Sequence, residues 1–168
     1  MTPSITQRAT TAFLDSAWTW SITPSEPASV REDRCAGLLR RYPFWTTGHR
    51  ILAQLALDRD DIGRAYASAV CYRALCEAHA KNPSDALFIL GQCFLRRGDW
   101  QRALEHLERA HELDSERAEI CEEIAAAHIL AGELYKAKKV LEAIPGDTIS
   151  AAGKAALAFA RSRGKQTS

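Results

Sequence analysis

PSDALFILGQCFLRRGDWQRALEHLERAHELDS, from Pro83 to Ser115, holds two short helical patterns joined by Arg97-Gly98-Asp99. Leu87, Leu90, Gly91, Phe94 and Leu95 fall at i, i+3, i+4, i+7 and i+8, one apolar stripe of a helix. Ala103, Leu107, Ala110 and Leu113 form a second stripe. Gly98 stands where the first helix should stop, because glycine takes the left-handed conformation of a helix end without a Cβ penalty. Asp99 follows as a cap for the second helix. The stretch reads as a helix-turn-helix unit.

The same spacing recurs on both sides. Leu52-Ala53, Ala56, Asp60, Ile62 and Ala65 repeat Leu90-Gly91, Phe94, Gly98, Trp100 and Ala103 at a constant offset of 38 positions. Asp60 takes the place of the turn glycine, which the left-handed conformation tolerates at some cost. The helix Asp61 to Lys81 is a turn longer than its counterpart, which accounts for the wider offset. Downstream, Ile124-Ala125, His128, Gly132, Leu134, Ala137 and Leu141 repeat the pattern at 34 positions, and Pro145-Gly146 closes the unit.

The order Leu90-Gly91, Phe94, Gly98, Trp100, Ala103, Leu107 and Ala110 resembles the tetratricopeptide repeat, a helical hairpin of about 34 residues. The resemblance implies an all-α, right-handed α-solenoid of such hairpins. Its repeats are expected at 44–83, 84–117 and 118–146. Residues 1–43 supply N-terminal helices that read as a degenerate repeat or as packing helices, and 147–168 a capping helix and polar tail. Within each hairpin, Ala53, Gly91 and Ala125 in first helices, and Ala65, Ala103 and Ala137 in second helices, permit close crossing. Phe94, Trp100, Leu107, Leu134 and Leu141 fill the space between.

Toward the N-terminus, Ser4 to Ile22 reads as a helix with Ile5, Ala9, Ala12, Phe13, Ala17 and Trp20 on one face. Thr23 to Ala28 is a breaker, with Pro24 and Pro27 lacking backbone donors. Ser29 is the expected cap of a helix ending before Pro43. At the other end, Asp147 or Thr148 is expected to cap a last helix to about Arg161, with a polar outer side as terminal units require.

The 168 residues are 46% hydrophobic and 26% charged with a net charge of +1, so no global field attracts nucleic acid. Cys35, Cys71, Cys76, Cys93 and Cys121 are odd in number and form no C-x-x-C pair. The expectation is reduced, mostly buried thiols in a cytoplasmic protein. No segment approaches the roughly 20 apolar residues of a membrane span. The apolar patch from Ala12 to Ile22 is broken by Asp15 and is followed by no small-residue cleavage site, so it is read as structure and not as a signal peptide.

The resemblance further implies a non-catalytic protein-interaction module or adaptor that holds a partner peptide or helix in a concave groove lined by first helices. Carried onto this chain, the groove candidates are Arg50, Gln54 and Leu57; Phe88, Gln92, Leu95 and Arg96; and Glu119, Glu122, Ala126 and Ile129. The lining is apolar in the middle, basic at one end and acidic at the other. The Lys, Asn and Arg clamp that some family members use for a terminal carboxylate is absent, with Glu119, Glu122 and Glu123 in its place. Two alternatives stay open: a chaperone similar to those of type III secretion, with Phe88 and Ile129 forming pockets, and a self-assembling scaffold, whose sign would be an exposed Trp18, Trp20 or Trp45.

Other constellations carry less. Glu116, Glu119, Glu122 and Glu123 open a helix, where acids favour the helix dipole. Arg31, Arg34, Arg40, Arg41, His49 and Arg50 lie near Tyr42, Phe44 and Trp45, a mixture that binds single strands when the rings are exposed. Cation placement at a helix end and ring packing between helices explain it more simply, so no nucleic acid partner is expected. Cys76 with His79, and Cys121 with His128, fall short of the four converging ligands of a structural zinc site. No nucleophile–base set, phosphate loop or paired-carboxylate motif is present. No enzyme activity, metal or cofactor is therefore expected.

Overall fold

The computed structural model describes residues 5–21 and 26–163, with side chains described from 9 to 18 and from 26 to 163. The described chain forms nine helices and no strand: α1 (Ile5–Ser21), α2 (Ala28–Arg41), α3 (Thr46–Asp58), α4 (Ile62–Ala78), α5 (Ser84–Arg96), α6 (Trp100–Leu113), α7 (Ala118–Leu130), α8 (Leu134–Ala143) and α9 (Ala151–Arg163). The Ile5 and Trp20 side chains, and most of the breaker before Pro27, lie outside the described residues. The chain divides into two compact units, Met1–Ile89 and Leu90–Ser168.

One local device makes the hairpin turns. Asp60, Gly98 and Gly132 have φ of 60°, 75° and 77°. At each, the residue itself donates its N–H to the carbonyl three positions back, and the next residue donates to the carbonyl five back. The longer bonds are Asp61 N to Ala56 O at 2.8 Å, Asp99 N to Phe94 O at 3.0 Å and Glu133 N to His128 O at 2.8 Å. This is the Schellman arrangement, which satisfies the carbonyls at a helix end. Asp61 and Asp99 then cap the next helix, accepting from Arg64 N at 3.0 Å and Arg102 N at 3.2 Å. A fourth turn of this kind ends α4, with Ala80 at φ 51° and Lys81 N to Cys76 O at 2.8 Å. The sequence gives no warning of Ala80, since alanine rarely takes this conformation.

In the first unit, Leu14, Trp18, Cys35, Leu39, Trp45, Leu52 and Leu55 form one core. Trp18 and Trp45 meet edge to face at 5.9 Å. Trp45 Nε1 donates to Asp15 Oδ1 at 2.6 Å, so the acid that breaks the apolar patch of α1 is the partner of a buried indole. A Cβ on Gly48 would lie 2.2 Å from Trp45 Cε3, so only glycine lets α3 start beneath that ring. Ser29 is not the cap of α2. Pro27, at φ −57° and ψ 142°, holds that position, and its carbonyl accepts from Val30 N and Arg31 N. The fixed proline φ starts the helix earlier than a serine cap would.

Glu32 of α2 is fully buried. Its carboxylate accepts from Arg59 Nη1 at 2.5 Å and from Arg64 Nη1. It thereby ties α2 to the α3–α4 turn. Hydrogen bonding to this carboxylate, together with its charge, raises the Arg64 pKa.

In the second unit, α5 and α6 cross closely at Gly91, where a Cβ would lie 2.5 Å from Leu107 Cγ. Ala103, Ala125 and Ala137 are fully buried, as the spacing predicts. Ala125, Ala137, Leu141, Ile144 and Ile149 form a core that Ala156 and Leu157 of α9 help to cover. The α9 cap is Ser150, not Asp147 or Thr148. Thr148 turns back on Pro145 O through both its N–H and its hydroxyl, and Ser150 Oγ accepts from Gly153 N at 3.0 Å. The outer side of α9 is mixed: Ala151, Ala152, Ala155 and Ala158 are exposed together with Lys154, Arg161 and Arg163.

Candidate protein-interaction site

The residues expected to line a groove divide by exposure. In the first unit, Arg50 and Gln54 project from α3 and are exposed. Arg50 Nε lies 3.9 Å from Asp85 Oδ2, and Gln54 Nε2 donates to Asp58 Oδ1 at 3.0 Å. Phe88 is only 7% exposed and Leu57 1%, so neither offers a side chain to a partner. Both positions carry an apolar residue on a helix with two buried sides, which a single-stripe reading assigns to the wrong side.

In the second unit, Arg96 and Glu119 are exposed, and Gln92, Glu122 and Ile129 are half-buried. Gln92 Nε2 donates to Glu123 Oε1 at 2.7 Å, linking α5 to α7. Glu119 Oε2 lies 3.5 Å from Arg117 Nε. Ile129 packs on the Ala125–Leu141 core. Glu122 holds α9: its two oxygens accept from Ser150 N and Ser150 Oγ, each at 2.6 Å. Helix α7 begins at Ala118 after an extended Arg117, so Glu116 lies in the preceding turn and not in the helix.

That turn borders a cavity of about 350 Å³ among α6, α7 and α8. Its apolar lining comes from Ala118, Val140, Ala143 and Ile144, with Pro145 beside them. His111 and Cys121 line it too, and His111 Nδ1 lies 3.6 Å from Cys121 Sγ. Glu116 supplies a carboxylate. The sequence paired Cys121 with His128 instead, by position on one helix. His128 turns to the α7–α8 turn, where Nδ1 lies 2.8 Å from Glu133 Oε2. Glu133 also accepts from Lys136 Nζ at 2.8 Å. The Lys136 bond, and then that of His128, hold the Glu133 carboxyl below its ordinary range.

The thiols are set for packing. Cys35, Cys76 and Cys93 are buried, Cys121 is half-buried and Cys71 is exposed. Burial pushes Cys35 up to about 12 and Cys93 up to about 11, and it raises Cys76 and Cys121 as well. Such thiols are poor nucleophiles. Among the described residues, no three His, Cys, Asp or Glu side chains gather as a metal site. Of the rings near the basic residues, Trp45 is in the core and Phe44 is 59% exposed. Trp18 is buried as well, so the exposed-indole sign of a scaffold is missing at Trp18 and Trp45. No described helix is long and apolar enough to cross a membrane.

No curated protein matches the chain in sequence. A sequence profile described as Tetratricopeptide repeat matches residues 94–158, which run from the last turn of α5 into α9. The Schellman turns at Gly98 and Gly132, the capping Asp99 and the small buried Ala103, Ala125 and Ala137 all fall within that match. Over residues 94–158 the chain is similar to tetratricopeptide-repeat proteins.

Proposed function

We propose that the chain is a non-catalytic protein-interaction module, an adaptor whose first helices contact a peptide or helix of a partner. The observation that carries this reading is the tetratricopeptide match itself, since such repeats generally mediate contacts between proteins. The contact residues we propose are the exposed and half-buried polar ones: Arg50 and Gln54 in the first unit, and Gln92, Arg96 and Glu119 in the second. Glu122 and Ile129 support the fold around them through Ser150 and the α7–α8 core. Cytoplasmic location accords with five free thiols.

The test is affinity capture from native cell extract with the wild type and two double variants, Arg50→Glu with Gln54→Ala and Gln92→Ala with Arg96→Glu. Phe88 is left alone because truncating a buried phenylalanine costs about 3–5 kcal/mol and would confuse loss of binding with loss of fold. A partner held by the wild type and lost by a variant with an unchanged melting temperature is the expected result. A partner retained by both variants would move the contact off these faces.

A further inference from the structure

We propose that the cavity among α6, α7 and α8 anchors one apolar side chain of a partner segment, and that Glu116 pairs with a lysine or arginine next to that side chain. This rests on the reading of the chain as a protein-interaction module, but it names a different surface and the chemistry of what fits there. The cavity lies wholly within the second unit.

Three observations converge on that occupant. The volume of about 350 Å³ lies at the small end of ligand pockets, which run from roughly 300 to 1,000 Å³. Its lining is chiefly apolar: Ala118, Val140, Ala143, Ile144 and Pro145. Ala143, Pro145 and Glu116 are exposed, so the cavity opens to solvent along their side.

The second observation is the state of its polar groups. His111 and Cys121 face each other at 3.6 Å, so neither needs an outside partner. Glu116 has no hydrogen bond or ion pair among the described residues, and it is the carboxylate of the lining. The third is charge. Between His111 and Glu119 stand Glu112, Asp114, Glu116 and Glu119 against Arg117 alone, and Arg117 lies 3.5 Å from Glu119. The α6–α7 turn that carries Glu116 is therefore acidic, and a cation beside the apolar group is favoured on that side.

A free small molecule is the weaker candidate. One apolar contact and one ionic contact fix few of its degrees of freedom, and an exposed ion pair adds little affinity by itself. A polypeptide brings further contacts along the same surface, and its anchoring side chain fills a pocket as the central residues of protein interfaces do.

An array of nine-residue peptides tests this. Each carries Leu, Met or Phe at the centre, flanked by Lys and Arg, by Glu, or by Ser. The strongest is then measured by fluorescence polarisation against the wild type, Ala143→Phe and Glu116→Lys. Both substituted positions are exposed, so the variants keep the fold, which a melting curve checks. The expected result is binding of the basic-flanked apolar peptides. Ala143→Phe should weaken it by about tenfold or more by occupying the cavity. Glu116→Lys should shift preference toward the Glu-flanked set. Binding that ignores both variants, or an array on which no basic-flanked apolar peptide binds, would overturn the proposal. Neither result touches the variants on α3 and α5, which test the broader reading separately.

Discussion

Gly91 and Leu107 decide how closely α5 and α6 approach. Leu107 is fully buried and cannot swing aside, and an alanine Cβ at 91 would sit 2.5 Å from its Cγ and 2.6 Å from its Cδ2. Gly91→Ala, although it favours helix, should therefore destabilise the fold by about 1–3 kcal/mol, read from urea unfolding. A neutral or stabilising result would show that the two helices are further apart. Glu133 makes the second point at this scale. The hydrogen bonds from Lys136 and then from His128 stabilise the carboxylate, so its folded pKa falls below the ordinary value of about 4.3. The sign follows: the contribution to stability is present above the unfolded pKa and is lost as pH falls through the lower folded value. Carbon-detected NMR titration of the Glu133 carboxyl should show this depressed value. Lys136→Ala should move it upward, because the Lys136 bond is its largest cause.

Two carboxylates act between elements. Glu122 accepts two hydrogen bonds from Ser150, the cap of α9, so Glu122→Ala removes both from the start of the last helix. The expected cost is about 1 kcal/mol, similar to loss of a helix cap. Amide exchange should quicken in α9 and stay unchanged in α6, and uniform quickening would argue against a local docking role. Glu32 in the first unit has more at stake because it is fully buried. Breaking a buried ion pair costs roughly 3–5 kcal/mol. Arg59 and Arg64 are nearly half exposed, though, and they rehydrate when the acid is gone. Glu32→Ala should then cost roughly 2 kcal/mol by guanidinium unfolding, below the fully buried case. The signal for Glu32 is in the sequence, since Glu32, Cys35 and Leu39 share one stripe of α2. An acid on an apolar stripe calls for buried cations, but the two arginines lie 27 and 32 positions away and only folding brings them together.

Across the whole molecule the five thiols report the burial pattern at once. Cys71 is exposed, Cys121 half-buried, and Cys35, Cys76 and Cys93 are buried. With a thiol reagent at pH 8, one thiol should react fast, a second slowly, and the remaining three only after unfolding. The raised Cys35 and Cys93 values make those two the slowest, because the thiolate is the reacting form. Early reaction of more than two thiols would contradict the buried positions.

The features legible along the chain are local and periodic. The helices, the left-handed turn residues Asp60, Gly98 and Gly132, the capping Asp99 and the small crossing residues follow from spacing and backbone preference. Each of these involves residues within a few turns of one another. Tertiary structure alone decided the rest. It buried Phe88, gave Glu122 to Ser150, set His111 rather than His128 against Cys121, and opened a cavity beside Glu116. Helical spacing fixes which residues share a face, whereas the neighbour that face meets depends on how separate helices pack.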